Sequence, residues 1–260
     1  MCYDLSYLTK KQIDYAGKYG SKEDIEDIKK RLPPMFHVNG FAHERAPVIT
    51  NKEPDRMQLM EWGLIPNWVK TDYQAIEIRD KTINARAETL LEKPSYKSSV
   101  QFRRCVIIVD GFFEHFHFNK KTYPYFIQRR DKKPFAIAGL WDEYKNDHED
   151  SLYTFTLITT RANKRMSKIH NNPKVISKTG PRMPAIIADD RIKDWLFVGS
   201  DKGGDFNHKL SGLLIPFSES ELMDFPVRPL RGKEYPGNTN LITENYIYPE
   251  LAISRQGELF

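Results

Sequence analysis

Between residues 104 and 187 the chain repeats one device: an apolar run of strand length, closed by Gly, Pro, Asp, Asn or Lys. The runs read "CVIIVDGFFEHF", "YPYFIQRR", "PFAIAGLWDEY", "LYTFTLITT" and "PAIIA". Their Val, Ile, Tyr and Phe content fits pleated, half-buried backbone. They do not alternate with helices in the strict βαβα order of a doubly wound parallel sheet. The expected architecture is one α+β domain over residues 1–260, built on a mostly antiparallel, barrel-like β-sheet with short flanking helices.

The helices announce themselves by their ends. "SKEDIEDIKKRL" has Ser21 as N-cap, acids in its first turn, bases in its last, and Pro33-Pro34 as a stop. Short helices are also expected at "ARAETLLE", "DDRIKDWLF" and "SESELMDF", and loops at "NDHED" and "SDKGGDFNH". "EWGLIPNW", with Pro66 between Trp62 and Trp68, reads as a turn or loop.

At 260 residues the chain can bury a core without covalent staples, and its two cysteines are too few for a disulfide framework. It lacks both an apolar run of about 18 residues and the apolar region of a secretory signal. An intracellular, cytoplasmic protein is expected. The net charge of +5 permits a polyanionic partner without demanding one. The 12% aromatic content suits either a β-rich core or platforms for unpaired bases. Neither HExxH nor paired CxxC spacing is present, so neither metal nor cofactor is predicted.

Three polar islands lie against the apolar runs. "NARAE" offers Asn84, Arg86 and Glu88. Glu114 sits among aromatics in "VDGFFEHF". "KIHNNP…GPRMPAII" offers His170 and Arg182. A carboxylate in apolar surroundings has a raised pKa and suits general acid–base work; the other reading of Glu114 is an edge residue facing solvent. His170 is either a hydrogen-bonded structural residue or a proton carrier. Trp62 and Trp68 are either core anchors or stacking faces. Cys105, within "CVIIV", reads as a small buried hydrophobe.

Taken together, "MC" at the start, "EWGLIPNW", "NARAET", "RRCVIIVDGFFEH", "LITTRAN", "IH" and "RMPAII" resemble the SRAP family (SOS response-associated peptidase) in order and near spacing. The resemblance runs from residue 2 to about 188, with a weaker echo in "FPV" at 225–227. It implies the SRAP fold, with residues 189–260 completing the same domain. It also implies a monomer that senses abasic sites in single-stranded DNA and attaches to them covalently through an N-terminal cysteine. Autoproteolytic removal of the preceding residue and an abasic-site lyase side reaction come with that reading. A thiol peptidase and a non-covalent binder of single-stranded or modified DNA are the alternatives.

The chemistry suits the residues. Once Met1 is removed, Cys2 presents an amine and a thiol on adjacent carbons. An abasic sugar in its open form presents an aldehyde, and the two close to a five-membered thiazolidine, favoured by the high effective molarity of ring closure. With an α-amino pKa near 7.8, roughly 15% is unprotonated at pH 7, against about 0.04% of a lysine near 10.4. By resemblance, Asn84 holds the α-amino group, Glu114 moves protons, and His170 assists beside the sugar and its 3′ phosphate. Arg86 and Arg182 bind flanking phosphates, while Trp62 and Trp68 pack on bases or hold the DNA bent. His115 and His117 are weaker alternatives to His170.

The chain departs from the family twice. Tyr3 and Asp4 stand where Gly-Arg is usual, which removes one candidate phosphate contact. Eleven residues, Asn171 to Pro181, split the usual H-x-RMP between His170 and Arg182.

Overall fold

A computed structural model describes residues 2–7, 30, 33–146, 148–199 and 205–251. The helix expected over 21–32 falls, but for Lys30, outside the described residues.

The chain opens on β1 (Asp4–Tyr7) and β2 (Met35–Asn39), then β3 (Arg45–Thr50) and β4 (Met57–Trp62), each an antiparallel pair. Helix α1 (Asp72–Arg79) starts where the Thr71 side chain accepts from Gln74 N, an N-cap the sequence reading missed. The short β5 (Asn84–Arg86) leads through a 3-10 turn to helix α2 (Pro94–Phe102), which opens on proline. Five longer strands follow: β6 (Arg104–Val109), β7 (Gly111–Phe118), β8 (Lys121–Arg129), β9 (Phe135–Lys145) and β10 (Ser151–Arg161). Helices α3 (Lys164–Ile169) and α4 (Pro173–Thr179) separate β10 from β11 (Arg182–Pro184) and β12 (Ile186–Ile187). Helices α5 (Ile192–Phe197) and α6 (Phe206–Leu213) and strand β13 (Leu222–Pro226) come last.

The architecture is α+β. Strands β4, β3, β6, β9 and β10 close on themselves, because β10 pairs antiparallel with β9 and parallel with β4. Closure leaves no free edge within that ring. β5 runs parallel along β10, while β11 joins β10 and β12 joins β9, both antiparallel. A second sheet, wholly antiparallel, runs β13–β8–β7–β1–β2.

The long apolar run at 105–116 is two strands in two sheets. Between them, Asp110 N–H donates to Ser6 O at 2.8 Å and turns the chain from the barrel into the second sheet. A β-carbon at Gly111 would stand 2.3 Å from the Phe126 ring, so only glycine fits that step. β6 is buried on both faces, which is why it reads as an unbroken apolar run. Cys105, Ile107 and Val109 point into a core that continues to the inner face of the second sheet. Val106 and Ile108 point outward, under Tyr96 and Val100 of α2 and Trp195 of α5. Each such aliphatic contributes roughly 1.5–3 kcal/mol by leaving water. The outer face of the second sheet, at Phe113 and Phe126, is covered by Val227, Leu230 and Ile242 from the C-terminal segment.

Three helical expectations are corrected. "ARAETLLE" supplies only a 3-10 turn at Ala87–Thr89, because Asn84–Arg86 is held extended by β10. "SESELMDF" is a 3-10 turn followed by β13, because β8 offers a free edge that takes Leu222–Pro226 into the sheet. "DDRIKDWLF" is helical only from Ile192, after a 3-10 turn at Asp189–Arg191. The loop expected over 200–208 gives way to α6 at Phe206, capped by the Asp205 side chain. No helix among the described residues is long and apolar enough to cross a membrane.

Candidate active site

Cys2 stands two residues before β1, where the second sheet meets the barrel, and is only 1% exposed. The Asn84 amide nitrogen donates to the Cys2 carbonyl oxygen at 2.8 Å. Asn84 reaches it because β5 is laid along β10, in the register Leu157↔Asn84. Tyr96 of α2 donates its hydroxyl to the Asn84 carbonyl at 3.3 Å, steadying that strand from behind. The Asn84 Oδ1 is buried and has no hydrogen-bond partner among the described residues. It is an acceptor held beside Cys2.

Glu114 arrives from β7. Strand alternation sends Phe112 into the inner core and Phe113 to the outer cluster, so Glu114 shares the inner face with Phe112. It is buried, and its Oε1 accepts from His115 N at 2.9 Å. Its Oε2 lies 3.8 Å from His170 Nδ1. The solvent-facing reading of Glu114 is excluded by that burial.

His170 caps the end of α3, whose start is fixed by the Asn163 side chain accepting from Met166 N. His170 Nδ1 lies 3.0 Å from both the backbone N and the backbone O of Arg182. The eleven-residue insertion therefore leaves His170 in contact with Arg182. Its middle winds into α4 between Asn172 and Gly180, and its two ends return to one point. Asn171 ties the start to β7, donating to His117 O at 2.9 Å and accepting from His117 N at 2.7 Å.

Burial pushes the Cys2 thiol well above its ordinary value, and the Glu114 and Asp4 carboxylates push it further. The thiol is neutral at pH 7 and points at the Asp4 carbonyl oxygen, 3.6 Å away. Burial also holds His170 below the ordinary histidine value, against the pull of Glu114. Its imidazole is neutral at pH 7. The site thus pairs a neutral thiol with a buried carboxylate and a neutral histidine.

The residues expected on DNA divide. Trp68 is 48% exposed on the wall of a cleft of about 620 Å³, which Asn84, Arg86, Lys81, Lys93 and Tyr96 also line. The Arg86 side chain is 40% exposed there, with its Nε 3.8 Å from Glu88. Trp62 does not reach this surface. It is fully buried, stacked on Phe155 with centroids 5.9 Å apart, and donates its indole N–H to Ile83 O at 2.8 Å. It is a core anchor, because β4 turns it inside the barrel. Arg182 is likewise not open to phosphate. At 1% exposure it forks onto Glu88 at 2.7 and 2.9 Å and donates to Thr159 O at 2.7 Å. It clamps β11 to the turn after β5, since a buried guanidinium needs a carboxylate partner. Sequence reading missed Tyr96, Lys81 and Lys93, whose only signal was their nearness in sequence to Asn84.

The sequence and the fold both have known counterparts. The family model of the SOS response associated peptidase (SRAP) matches residues 1–232. The abasic site processing protein YoqW of Bacillus subtilis is 35% identical over 184 residues, covering 70% of this chain and 74% of that protein. The abasic site processing protein YoaM of the same organism is 33% identical over 210 residues, 80% of this chain and 84% of that one. A crystal structure of a Bacteroides thetaiotaomicron protein superposes with a TM-score of 0.79 at 31% identity, covering 95% of this chain and all of that one.

Proposed function

The chain belongs to the SOS response-associated peptidase family, and we propose that it captures abasic sites in single-stranded DNA as a covalent crosslink through Cys2. The observation that carries this reading is the convergence of Cys2, Asn84, Glu114 and His170 from separate elements onto one buried point.

With Met1 removed, the Cys2 amine adds to the C1′ aldehyde of the ring-opened sugar, and the carbonyl electron pair takes up a proton. The carbinolamine then loses water to give an imine. The thiol adds to the same carbon, its proton leaves, and the ring closes to a thiazolidine with one water released in total. In this reading Glu114, buried beside His170, gives and takes these protons. Asn84 fixes the Cys2 main chain, and its buried Oδ1 is an acceptor for the new amine. His170, neutral at rest, serves the sugar side. Where the imine outlives closure, β-elimination on its 3′ side gives lyase activity as a side reaction.

The surroundings of the thiol argue against a peptidase of the thiolate type. Such a nucleophile sits in electropositive surroundings that lower its pKa. Here burial and two carboxylates raise it.

The test is incubation with single-stranded oligonucleotides, with and without one abasic site, followed by a denaturing gel. A shifted band confined to the abasic oligonucleotide, and lost in Cys2→Ala, is expected. Its absence when mass measurement shows Cys2 at the N-terminus overturns the reading.

A further inference from the structure

Asp4 is the second residue after Cys2, and it is an acid buried to 1% exposure. Its Oδ1 receives His37 Nε2 at 2.8 Å and Arg231 Nη2 at 2.7 Å. His37 is itself fixed from the other side, with Nδ1 2.9 Å from the Tyr235 hydroxyl. The segment that carries Arg231 and Tyr235 is tied to β1 by the first and to β2 by the second, and it is locked onto β2 again by Asn238 Oδ1. That oxygen accepts from Phe36 N at 2.7 Å and His37 N at 3.1 Å. A stretch more than 200 residues away in sequence is thus stitched to the N-terminal arm beside Cys2.

Arg231 does more than neutralise Asp4. Its side chain is 49% exposed, and the bond to Asp4 uses one of its five N–H groups. Its charge also acts on His115 of β7, the neighbour of Glu114. Gly232, in the left-handed region at φ +82° with open space around it, turns the chain away immediately afterwards. The result is a guanidinium gripped through Nη2 at the reactive arm, on a side chain that stays half exposed. A pre-oriented fork of this kind suits a phosphate.

We propose that Arg231, held by Asp4, is a phosphate-binding residue of the DNA site at Cys2. The proposal rests on the abasic-site reading for its ligand. A strand passing Cys2 would meet Asn84 and Arg86 where β5 touches residue 2, and Arg231 where the C-terminal segment touches residue 4.

The test measures binding of an undamaged single-stranded oligonucleotide by fluorescence anisotropy over a range of salt concentrations. Crosslinking of the abasic oligonucleotide is followed in parallel. Arg231→Ala is expected to weaken binding about tenfold, as loss of a charge-assisted hydrogen bond does. It should also lower the slope of log affinity against log salt by about 0.7, the value for one released contact on a single strand. Arg231→Lys keeps the salt slope and recovers part of the affinity. An Arg231 that only braces Asp4 would alter crosslinking while leaving the salt slope untouched, and that outcome overturns the proposal. If the oligonucleotide binds with the Arg231-dependent slope but no crosslink forms, the covalent reading fails and this one stands. If crosslinking proceeds and Arg231→Ala matches the parent in slope and affinity, this one fails alone.

Discussion

Asn84 donates its side-chain amide to the carbonyl oxygen of Cys2 at 2.8 Å, across 82 positions of sequence. That bond joins the barrel to the second sheet at the first described residue of the chain. Asn84→Ala removes it and leaves the Cys2 arm free to shift. Single-turnover crosslinking should slow by about tenfold, the kinetic equivalent of one hydrogen bond of roughly 1.4 kcal/mol. A rate equal to that of the parent would remove Asn84 from the mechanism.

Glu114→Gln keeps shape and removes the buried charge. Loss of a general acid–base costs about 10²–10⁴ in rate. The same change carries a sign that can be read without DNA. Glu114 is one of the groups raising the Cys2 thiol, after burial itself. Neutralising it must lower the thiol pKa, so alkylation of Cys2 in the variant should begin at lower pH. An upward shift would contradict the geometry.

The two tryptophans of "EWGLIPNW" should separate in opposite directions. Trp62→Ala empties a fully buried site and should cost about 3–5 kcal/mol of folding stability by chemical denaturation. Trp68→Ala, at a 48% exposed position, should leave the unfolding midpoint nearly fixed. Its cost should fall on affinity for single-stranded DNA, about 1–3 kcal/mol for one lost stacking platform. A Trp68 variant with unchanged affinity would take the cleft out of the DNA path.

The Arg182–Glu88 clamp makes stability depend on acid. Burial pushes the Glu88 carboxyl up, but its bonds to Arg182 outweigh that and hold it below the ordinary glutamate value. The native state therefore binds fewer protons there than the unfolded chain. Its contribution is complete above the unfolded value, roughly pH 4.3, and is lost as pH falls through the lower, folded one. Unfolding curves between pH 6 and 3 should show a shallower acid decline in Glu88→Gln than in the parent. Equal declines would mean that the clamp carries no linked proton.

Much of the site was legible in the chain because its parts lie in short, ordered motifs. Glu114 stood out as an acid inside an apolar strand, and burial is what the structure gives it. Asn84 lay beside β-forming Thr82 and Ile83. The adjacency of His170 and Arg182 was not legible, because a local spacing of eleven residues hides a contact of 3.0 Å. Which tryptophan faces outward was equally hidden. Both flank the same turn, and only the direction in which β4 enters the barrel distinguishes them.

Asp4 shows where sequence stops. Read along the chain, it removes a positive charge from the arm; in the fold, Arg231 stands against it at 2.7 Å. The apolar runs of strand length and the turn residues that close them determined that this protein is built of strands around a barrel-like core. They also set which residues could do chemistry, since side-chain type and burial tendency are local properties. Tertiary structure alone decided which of those residues meet. Closure of β10 onto β4 and docking of residues 227–246 on β2 are long-range contacts, and no local pattern encodes their register.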